Sequence, residues 1–232
     1  WFCDDIFGLK PDWTRRFADE VEAAGLDFGF SIQARVDSVL RDGVAADLAR
    51  AGLETAWIGA ESGSQSIVDA MKKGVTVEQI YEATRLLQSH GVRVAFFLQF
   101  GYLGETREDI DKTIRMVLDL MPDEIGISVS DPLPGTPFYD EVASQLVEKT
   151  NWTESDDLDI MYRSTYQPAF YKRLHRYVHK VFQRKRGLQS LKRLARAPWR
   201  ADRAELRTAL ATAYYLPMSL VDGVRLRRLQ HP

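Results

Sequence analysis

The sequence predicts an α/β protein in which parallel strands alternate with helices, followed by an extension that is entirely helical. Short apolar runs alternate with amphipathic stretches as far as Pro132, the pattern of parallel βα units, and no strand pattern returns after it. The charge changes as well. Residues 1–159 hold 30 acidic and 14 basic side chains, a net −16, whereas the remainder holds 3 and 17, a net +14. We therefore predict a first domain over residues 1–150 and a basic helical extension over residues 151–232.

Each element of the first domain follows from its own pattern. Strands are predicted where β-branched or aromatic residues cluster, at Trp1–Asp5, Asp27–Arg35, Thr55–Ala60, Arg93–Phe100 and Glu124–Ser130. Helices are predicted where apolar residues recur every three or four positions, at Asp12–Ala24, Gly43–Ala51, Thr76–Ser89 and Arg107–Leu120. Asp12 and Thr76 are suitable N-caps, since their short side chains can accept the free amides of a first turn. A Pro- and Gly-rich turn at 132–137 leads into one more helix, and the basic helices that follow are expected to be interrupted at Gly187, Pro198 and Pro217.

Composition limits the class of protein further. The chain has 232 residues, of which 45% are hydrophobic and 28% charged, as in a soluble globular protein. No uncharged apolar run is long enough to cross a membrane. The single cysteine, Cys3, fits a reducing compartment and hence a cytoplasmic location, and we expect it to be a small buried core residue. A start without methionine suggests a fragment.

Polar residues stand at the carboxyl ends of all five predicted strands. In a parallel βα barrel these ends meet at one rim, where the active site lies, so a polar site is expected there. Its mixture of acids, arginine and hydroxyls suits a zwitterion that carries a diol; alternatively, Asp5 and Arg35 pair with each other. The rim residues are Asp4, Asp5, Gln33, Arg35, Glu61, Ser62, Gly63, Gln99, Gly101, Ser128, Ser130 and Asp131.

Several short motifs, in order and spacing, resemble those of the radical S-adenosylmethionine superfamily over about residues 1 to 140. They are Phe2-Cys3-Asp4-Asp5-Ile6-Phe7, Gly59-Ala60-Glu61-Ser62-Gly63-Ser64-Gln65, Lys72-Lys73-Gly74-Val75-Thr76, Gly101-Tyr102-Leu103-Gly104-Glu105-Thr106 and Pro134-Gly135-Thr136-Pro137. The chain looks like the branch that carries a cobalamin-binding domain. More loosely, Trp152–Leu158 and the helix around His175 are similar to the C-terminal extension of relatives of the anaerobic magnesium-protoporphyrin ester cyclase and of cobalamin-dependent methylases.

The resemblance implies a fold, cofactors and partners. The fold is the C-terminal portion of a partial (β/α)6 TIM-like barrel, and the activity is radical methylation or cyclisation of a small organic substrate. The implied cofactors are S-adenosylmethionine, a 4Fe-4S cluster and cobalamin, and the implied partner is an electron donor such as a flavodoxin or ferredoxin. In such enzymes the cluster passes an electron to S-adenosylmethionine, and the radical that forms abstracts a hydrogen from the substrate.

The resemblance also suggests roles for individual residues. Asp4 and Asp5 stand where the family holds the amino group of S-adenosylmethionine, and Arg35 is a candidate for its carboxylate. Glu61 and Ser62 are candidates for the amino-acid or ribose part. Adenine contacts are implied for the Phe100–Glu105 segment, with Gly101 and Leu103, and for Ser128 and Ser130, with Glu105 as a structural cap. Gln99 is a further candidate for binding the cofactor. No catalytic residue is assigned.

The sequence departs from the family in one respect. The three-cysteine C-x3-C-x2-C loop is absent, and Cys3 alone cannot hold a four-iron cluster. We therefore expect the 232 residues alone to be inactive. Two alternatives stay open: a radical S-adenosylmethionine enzyme that uses no cobalamin, and a barrel remnant that binds S-adenosylmethionine without chemistry.

The basic segment and the histidines of the extension suggest further contacts. Lys172–Arg200 contains 11 basic and no acidic residues, with leucines interleaved. This pattern fits docking on the acidic part of the same chain or a peripheral contact with an anionic membrane, and we predict no nucleic-acid partner. His175 and His179 have the spacing of helical metal ligands but no acidic companion, so no metal site is predicted. The apolar stripe from Tyr171 to Phe182 is expected to pack on the barrel, the alternative being that it lines a substrate channel.

Overall fold

The computed structural model describes residues 1–146, 158, 160–200 and 202–230. The chain divides into two compact units, one formed by Trp1–Gln99 with Arg107–Ile127 and the other by Phe100–Thr106 with Ser128–Pro232. The division predicted near residue 150 and the motif at 152–157 lie outside the described residues. The observed division is not a single boundary near residue 150, because Phe100–Thr106 and the chain from Ser128 onward both belong to the second unit.

The first unit contains an open parallel sheet in the order β1-β2-β3-β4, which confirms the α/β class and the partial barrel. The strands are β1 Phe30–Ala34, β2 Leu53–Glu61, β3 Arg93–Phe100 and β4 Glu124–Val129, the last residues of β3 and β4 being assigned to the second unit. The helices are α1 Pro11–Ala23, α2 Val36–Val39, α3 Val44–Arg50, α4 Gln65–Ala70, α5 Val77–Ser89 and α6 Arg107–Leu120.

The first predicted strand, Trp1–Asp5, is wrong, because this segment forms no strand. The amide of Phe2 donates to Ser31 O at 3.0 Å and that of Phe7 to Gln33 O at 2.8 Å, so the segment accompanies β1 through isolated hydrogen bonds. Cys3 is consequently exposed instead of buried. The apolar character of the cysteine side chain did not predict its position, because this segment exposes Cys3 to solvent at the edge of the sheet.

Helix starts in the first unit follow two different routes. Thr76 is the predicted cap of α5, and its hydroxyl accepts from the Gln79 amide while the Gln79 side chain accepts from the Thr76 amide, a complete capping box. Asp12 is not a cap, since α1 starts one residue earlier at Pro11, whose missing N–H suits a first helical position. Asp12 therefore lies within the first turn, where its charge favours the helix dipole.

The core of the first unit lies between the sheet and its helices. Alternate residues of β1 and β2, among them Ile32 and Ile58, are fully buried on the helix-covered side. Residues of opposite parity, such as Gln33 and Trp57, are only half-buried. Because successive side chains of a strand point to opposite faces, the half-buried set marks the face on which a site can form.

The second unit contains three α-helices among its described residues, α7 Pro137–Val142, α8 Pro168–Arg196 and α9 Arg203–Arg228. The predicted interruptions at Gly187 and Pro217 are wrong, since α8 and α9 run through them. A β-carbon on Gly187 would lie 1.9 Å from the Thr212 hydroxyl oxygen, so this glycine allows α8 and α9 to approach closely. Pro217 lies on the exposed side of α9, and only the Pro198 interruption is confirmed, as a 3-10 turn.

The apolar stripe of α8 is buried: Tyr171, Leu174, Val178, Val181 and Phe182 are each at most 3% exposed. That it packs on the barrel stays a prediction. His175 and His179 lie beside it with ring centroids 4.5 Å apart. Burial and the neighbouring His175 lower the pKa of His179 to about 4. Within the described residues, no group of three or more potential metal ligands occurs, and no helix there is long and apolar enough to cross a membrane.

Candidate functional site

A cleft of about 240 Å³ opens at the carboxyl edge of β1 and β2 in the first unit. It is the expected position for a site in a parallel α/β sheet. The charged and amide side chains that line it are Asp5, Gln33, Arg35, Asp37, Glu61 and Lys73, and the apolar ones include Ile6, Val36, Trp57, Val75 and Phe97.

Arg35 follows β1 directly and is held in place from two sides. Its Nε donates to Asp37 Oδ1 at 2.8 Å, and one Nη donates to the Lys73 carbonyl at 3.1 Å. The side chain keeps 39% of its surface exposed, and its other Nη has no hydrogen-bond partner among the described residues. The guanidinium is thus oriented with a donor left over, which suits a carboxylate ligand. The alternative pairing of Arg35 with Asp5 does not occur, because Asp37 takes the acceptor role.

Glu61 ends β2 in a left-handed conformation with φ +51, which non-glycine residues rarely adopt. Its carboxylate lies 2.6 Å from the Lys73 ammonium, and the side chain is only 13% exposed. A β-carbon on Gly59 would lie 2.9 Å from Glu61 Oε1, so the absent side chain at Gly59 leaves room for the carboxylate. Backbone conformation, glycine and lysine together direct the Glu61 carboxylate into the cleft.

The loop after Glu61 is attached to α6. The hydroxyls of Ser62 and Thr113 lie 3.1 Å apart, and the Gly63 amide donates to the Thr113 hydroxyl at 2.9 Å. Ser64 donates from its hydroxyl to Asp109 Oδ1 at 2.5 Å. A β-carbon on Gly63 would lie 2.5 Å from a backbone carbonyl of α6, which explains the glycine. These contacts stabilise the turn that gives Glu61 its unusual conformation.

One wall of the cleft is aromatic. The rings of Trp57 and Phe97 on the neighbouring strands β2 and β3 lie 4.8 Å apart between centroids. A β-carbon on Gly126 of β4 would lie 3.2 Å from the Trp57 ring, so this glycine provides space for the indole. Such a wall offers apolar contact to the body of a ligand whose charged end meets Arg35 and Asp5.

The structure brings together only some of the residues predicted for the site. Asp5, Arg35 and Glu61 line the cleft, but Asp4 lines a separate cleft that contains Trp13. Asp4 and Asp5 therefore do not act as a pair, because successive residues of this extended segment face different ways. Ser62 is fully buried and bonded to the loop and α6, and does not line the cleft. Gln99 is half-buried on β3 and is not among the lining residues.

Four further predicted residues, Gly101, Leu103, Ser128 and Ser130, belong to the second unit. The Gly101 amide donates to Glu105 Oε2 at 2.7 Å, and its carbonyl accepts from the Tyr162 hydroxyl, so both backbone groups are used within the unit. Glu105 is fully buried, as its predicted structural role requires. The hydroxyl of Ser130 is buried without a partner among the described residues. Leu103 is half-buried and Ser128 exposed, and their contacts with adenine stay predictions.

Several cleft residues were not predicted as site residues, among them Asp37, Trp57 and Lys73. Lys73 stands in the quoted Lys72-Lys73-Gly74 motif, so a signal for it existed, but only the fold shows that its ammonium meets Glu61. Trp57 lies two residues before Gly59 on the same face of β2, a strand period that could have identified it. Asp37 gave no signal, since its role depends on the turn after β1.

The cleft combines three carboxylates, from Asp5, Asp37 and Glu61, with two cations, from Arg35 and Lys73. This set can hold the ammonium and carboxylate of an amino acid at once. The volume lies below the roughly 300 Å³ at which sites for whole drug-sized ligands begin, so the cleft suits a small charged group such as an amino acid. An iron–sulfur cluster does not fit the residues present, because four-iron clusters need several thiolates and the sequence has only Cys3, which is exposed.

Comparison with known proteins agrees with this architecture. Residues 6–117 match the model of the radical SAM superfamily. An uncharacterised methyltransferase from Pyrococcus horikoshii is 27% identical over 68% of this chain and 34% of its own length. The anaerobic magnesium-protoporphyrin IX monomethyl ester cyclase of Cereibacter sphaeroides is 33% identical over 56% of this chain and 22% of its own. The chain thus spans between about a fifth and a third of these relatives.

A solved structure supports the fold. The radical S-adenosylmethionine methyltransferase TsrM from Kitasatospora setae, with cobalamin and a [4Fe-4S] cluster bound, superposes with a TM-score of 0.52 at 20% identity. The match covers 70% of this chain and 34% of that one. Fold, motifs and family match agree with one another, and residues 6–117 are similar to the radical SAM superfamily.

Proposed function

We propose that the cleft of the first unit binds the amino-acid part of S-adenosylmethionine, as part of an enzyme that methylates or cyclises a small organic substrate. Its relatives include a methyltransferase and a cyclase. S-adenosylmethionine supplies a sulfonium that can be cleaved or can give a methyl group. The residues of this chain bind and orient that cofactor.

One observation carries the proposal: Asp5, Arg35 and Glu61 line a single cleft although they come from three separate segments. Arg35 is pre-oriented for the cofactor carboxylate by Asp37 and the Lys73 carbonyl. Asp5 is assigned to the ammonium group. Glu61 is already paired with Lys73, so we assign it to a hydroxyl or to the ammonium as a second acceptor. The proposed binding free energy therefore comes mostly from charge-assisted hydrogen bonds.

The remaining cofactors and partners are assigned more generally. No step through a cluster is assigned to these residues, because one cysteine cannot ligate it. We propose cobalamin and an electron donor such as a flavodoxin or ferredoxin for the larger enzyme only, acting in the cytoplasm on a small molecule. A cobalamin-independent enzyme is the second candidate. Binding of S-adenosylmethionine without reaction is the function proposed for the 232 residues alone, and the single cysteine favours it.

The test compares two ligands on two arginine variants by isothermal titration calorimetry. 5′-Methylthioadenosine shares the nucleoside of S-adenosylmethionine but lacks its amino-acid part. Arg35→Ala should weaken S-adenosylmethionine by about 10- to 100-fold, the loss of a hydrogen bond to a charged group, and should leave 5′-methylthioadenosine unchanged. The matched control is Arg93→Ala, since Arg93 is exposed at the opposite end of β3.

The two ligands separate the outcomes. If Arg35→Ala lowers the affinity for both ligands equally, the substitution disturbs the fold and not a specific contact. Unchanged affinity for S-adenosylmethionine would remove Arg35 from the site and with it the main support for the proposal.

A further inference from the structure

Helix α9 carries an apolar stripe on the side turned away from α8. Its buried side consists of Ala209, Thr212, Ser219, Asp222 and Leu226, and among these described residues only Leu226 is large and apolar. The exposed side repeats apolar residues at helical spacing, and Leu210 and Leu220 are 77% and 59% exposed. The members of this α9 stripe are Leu206, Leu210, Tyr214, Leu220, Val221 and Val224.

The stripe is bordered mainly by arginines, and the exposed acid at its start, Asp202, caps the helix by accepting from the Glu205 amide. Arg203 and Arg207 lie at its start and Arg225, Arg227 and Arg228 at its end, all of them exposed. No charged residue between Arg207 and Arg225 faces outward, because Asp222 is buried. The helix thus presents an apolar middle with a cationic group at each end.

The acids of this helix are already neutralised within the second unit. Asp222, 1% exposed, lies 2.8 Å from Arg173 and 2.6 Å from Lys180. Glu205 lies 2.6 Å from Arg193. The partner helix α8 contributes ten Lys and Arg and no Asp or Glu. Paired acids leave the helix pair with a surplus of positive charge, so the occupant of the stripe should be anionic.

The turn between α8 and α9 adds an aromatic anchor. Trp199, in the 3-10 turn Pro198–Arg200, is 78% exposed. Leu188 and Leu191, near the end of α8, are also exposed. Tryptophan is favoured where an apolar ring and a polar N–H meet at a membrane interface.

We propose that the α9 stripe docks on the surface of an anionic lipid bilayer, with its apolar side chains among the acyl chains and its arginines at the headgroups. A helix of this kind lies in the interface plane and does not span the bilayer. The partner must be both anionic and apolar. Nucleic acid offers the charge without an apolar layer for Leu210 and Leu220, whereas a second copy of this helix pair would bring the same positive charge. The proposal is independent of the S-adenosylmethionine cleft, since it concerns only the second unit.

The test is flotation of the full chain with vesicles of phosphatidylcholine alone or mixed with phosphatidylglycerol. We expect association with the anionic vesicles that weakens as salt is raised. Leu210→Glu combined with Leu220→Glu should reduce partitioning by about a hundredfold, since two leucines that would enter the bilayer are lost. The matched control is Leu26→Glu, because Leu26 is 57% exposed in the first unit.

A second pair of variants tests the electrostatic part. Arg225→Gln with Arg228→Gln should weaken partitioning by at least about tenfold on anionic vesicles, whereas Arg115→Gln on α6 should not. Circular dichroism melts of all variants check the fold, and exposed positions should melt as the parent does.

Three results would overturn the proposal. One is equal association with neutral and anionic vesicles, and another is unchanged association of the double glutamate variant. The third is a parent that forms dimers in sedimentation equilibrium, dissociates in the glutamate variant and ignores vesicles, which would make the stripe a contact between two copies.

Discussion

Glu61 and Lys72 both adopt left-handed backbone conformations, with φ +51 and +54, and only Glu61 lines the cleft. Replacing each by glycine should separate the cost of that conformation from the value of the carboxylate. A non-glycine residue pays about 1–2 kcal/mol in this region, and glycine loses about 0.5–1 kcal/mol through the entropy of the unfolded chain. Lys72→Gly should therefore raise the free energy of unfolding by about 0.5–1 kcal/mol.

For Glu61→Gly the same gain in the free energy of unfolding is offset by the loss of the ion pair with Lys73. That pair is partly exposed, the two side chains being 13% and 38% accessible, so it is worth at most about 1 kcal/mol. The net change in stability should be close to zero. Affinity for S-adenosylmethionine should fall by about tenfold or more, the loss of a charge-assisted contact, and Lys72→Gly should bind as the parent does.

Urea unfolding measures the stabilities, and calorimetry measures the affinities. Glu61→Gln keeps the backbone cost and removes the charge, so it should lose affinity without gaining stability. The reasoning fails if Glu61→Gly is as stabilised as Lys72→Gly while its affinity is unchanged. The conformation of Glu61 would then serve neither the ion pair nor the ligand.

Two further predictions concern the supports of each unit. Thr113→Val removes the acceptor of the Gly63 amide and should destabilise the first unit by about 1–3 kcal/mol. Thr113→Ser keeps the hydroxyl and should melt near the parent temperature. Equal losses of stability in both variants would show that side-chain volume matters and not the hydrogen bond. Burial raises the pKa of Asp222, but hydrogen bonds from Lys180 and Arg173 outweigh it and lower that pKa below its ordinary 3.8. Because this pKa is lower in the folded state, the ionised carboxylate stabilises the fold at higher pH. The melting temperature, followed by circular dichroism at 222 nm, should therefore fall as the pH drops below about 4. Asp222→Asn should be less stable at pH 7 and should lose less stability on acidification than the parent; an equal loss in the variant would refute the role of Asp222.

The parallel sheet could be predicted because the apolar periods of strands and helices are local. Helix α6 was predicted with its observed bounds, Arg107–Leu120, and α5 within one residue, since Thr76 supplies a strong cap. Trp1–Asp5 has the apolar residues of a strand but makes only isolated hydrogen bonds to β1. Pairing of that kind depends on neighbours in space and is not visible in a short run of letters.

Breaks in the basic helices were overpredicted for a similar reason. Gly187 suggests an interruption from its own propensity, but contact with Thr212 turns it into a packing position inside α8. Pro217 removes one backbone hydrogen bond, and it lies on the exposed side of α9, where water can serve the freed carbonyl. Tertiary contacts outweigh local propensity at both places.

The site was predictable where it depends on strand ends. Asp5, Arg35 and Glu61 line one cleft because parallel strands bring their carboxyl ends to one edge. The position of strand ends could not predict Lys73, since this residue follows a helix and contacts Glu61 only in the folded chain. Ser62 was misjudged, because a hydroxyl next to a site residue can equally attach the loop to α6.

A crystal structure of this chain with S-adenosylhomocysteine tests the central claim most directly. This ligand keeps the amino-acid part and the nucleoside but lacks the reactive sulfonium methyl group. The proposed function predicts its carboxylate within hydrogen-bond distance of the Arg35 guanidinium and its ammonium beside Asp5, with Arg35 still held by Asp37. Ligand density away from this cleft, or an amino-acid end that contacts neither Arg35 nor Asp5, would contradict it.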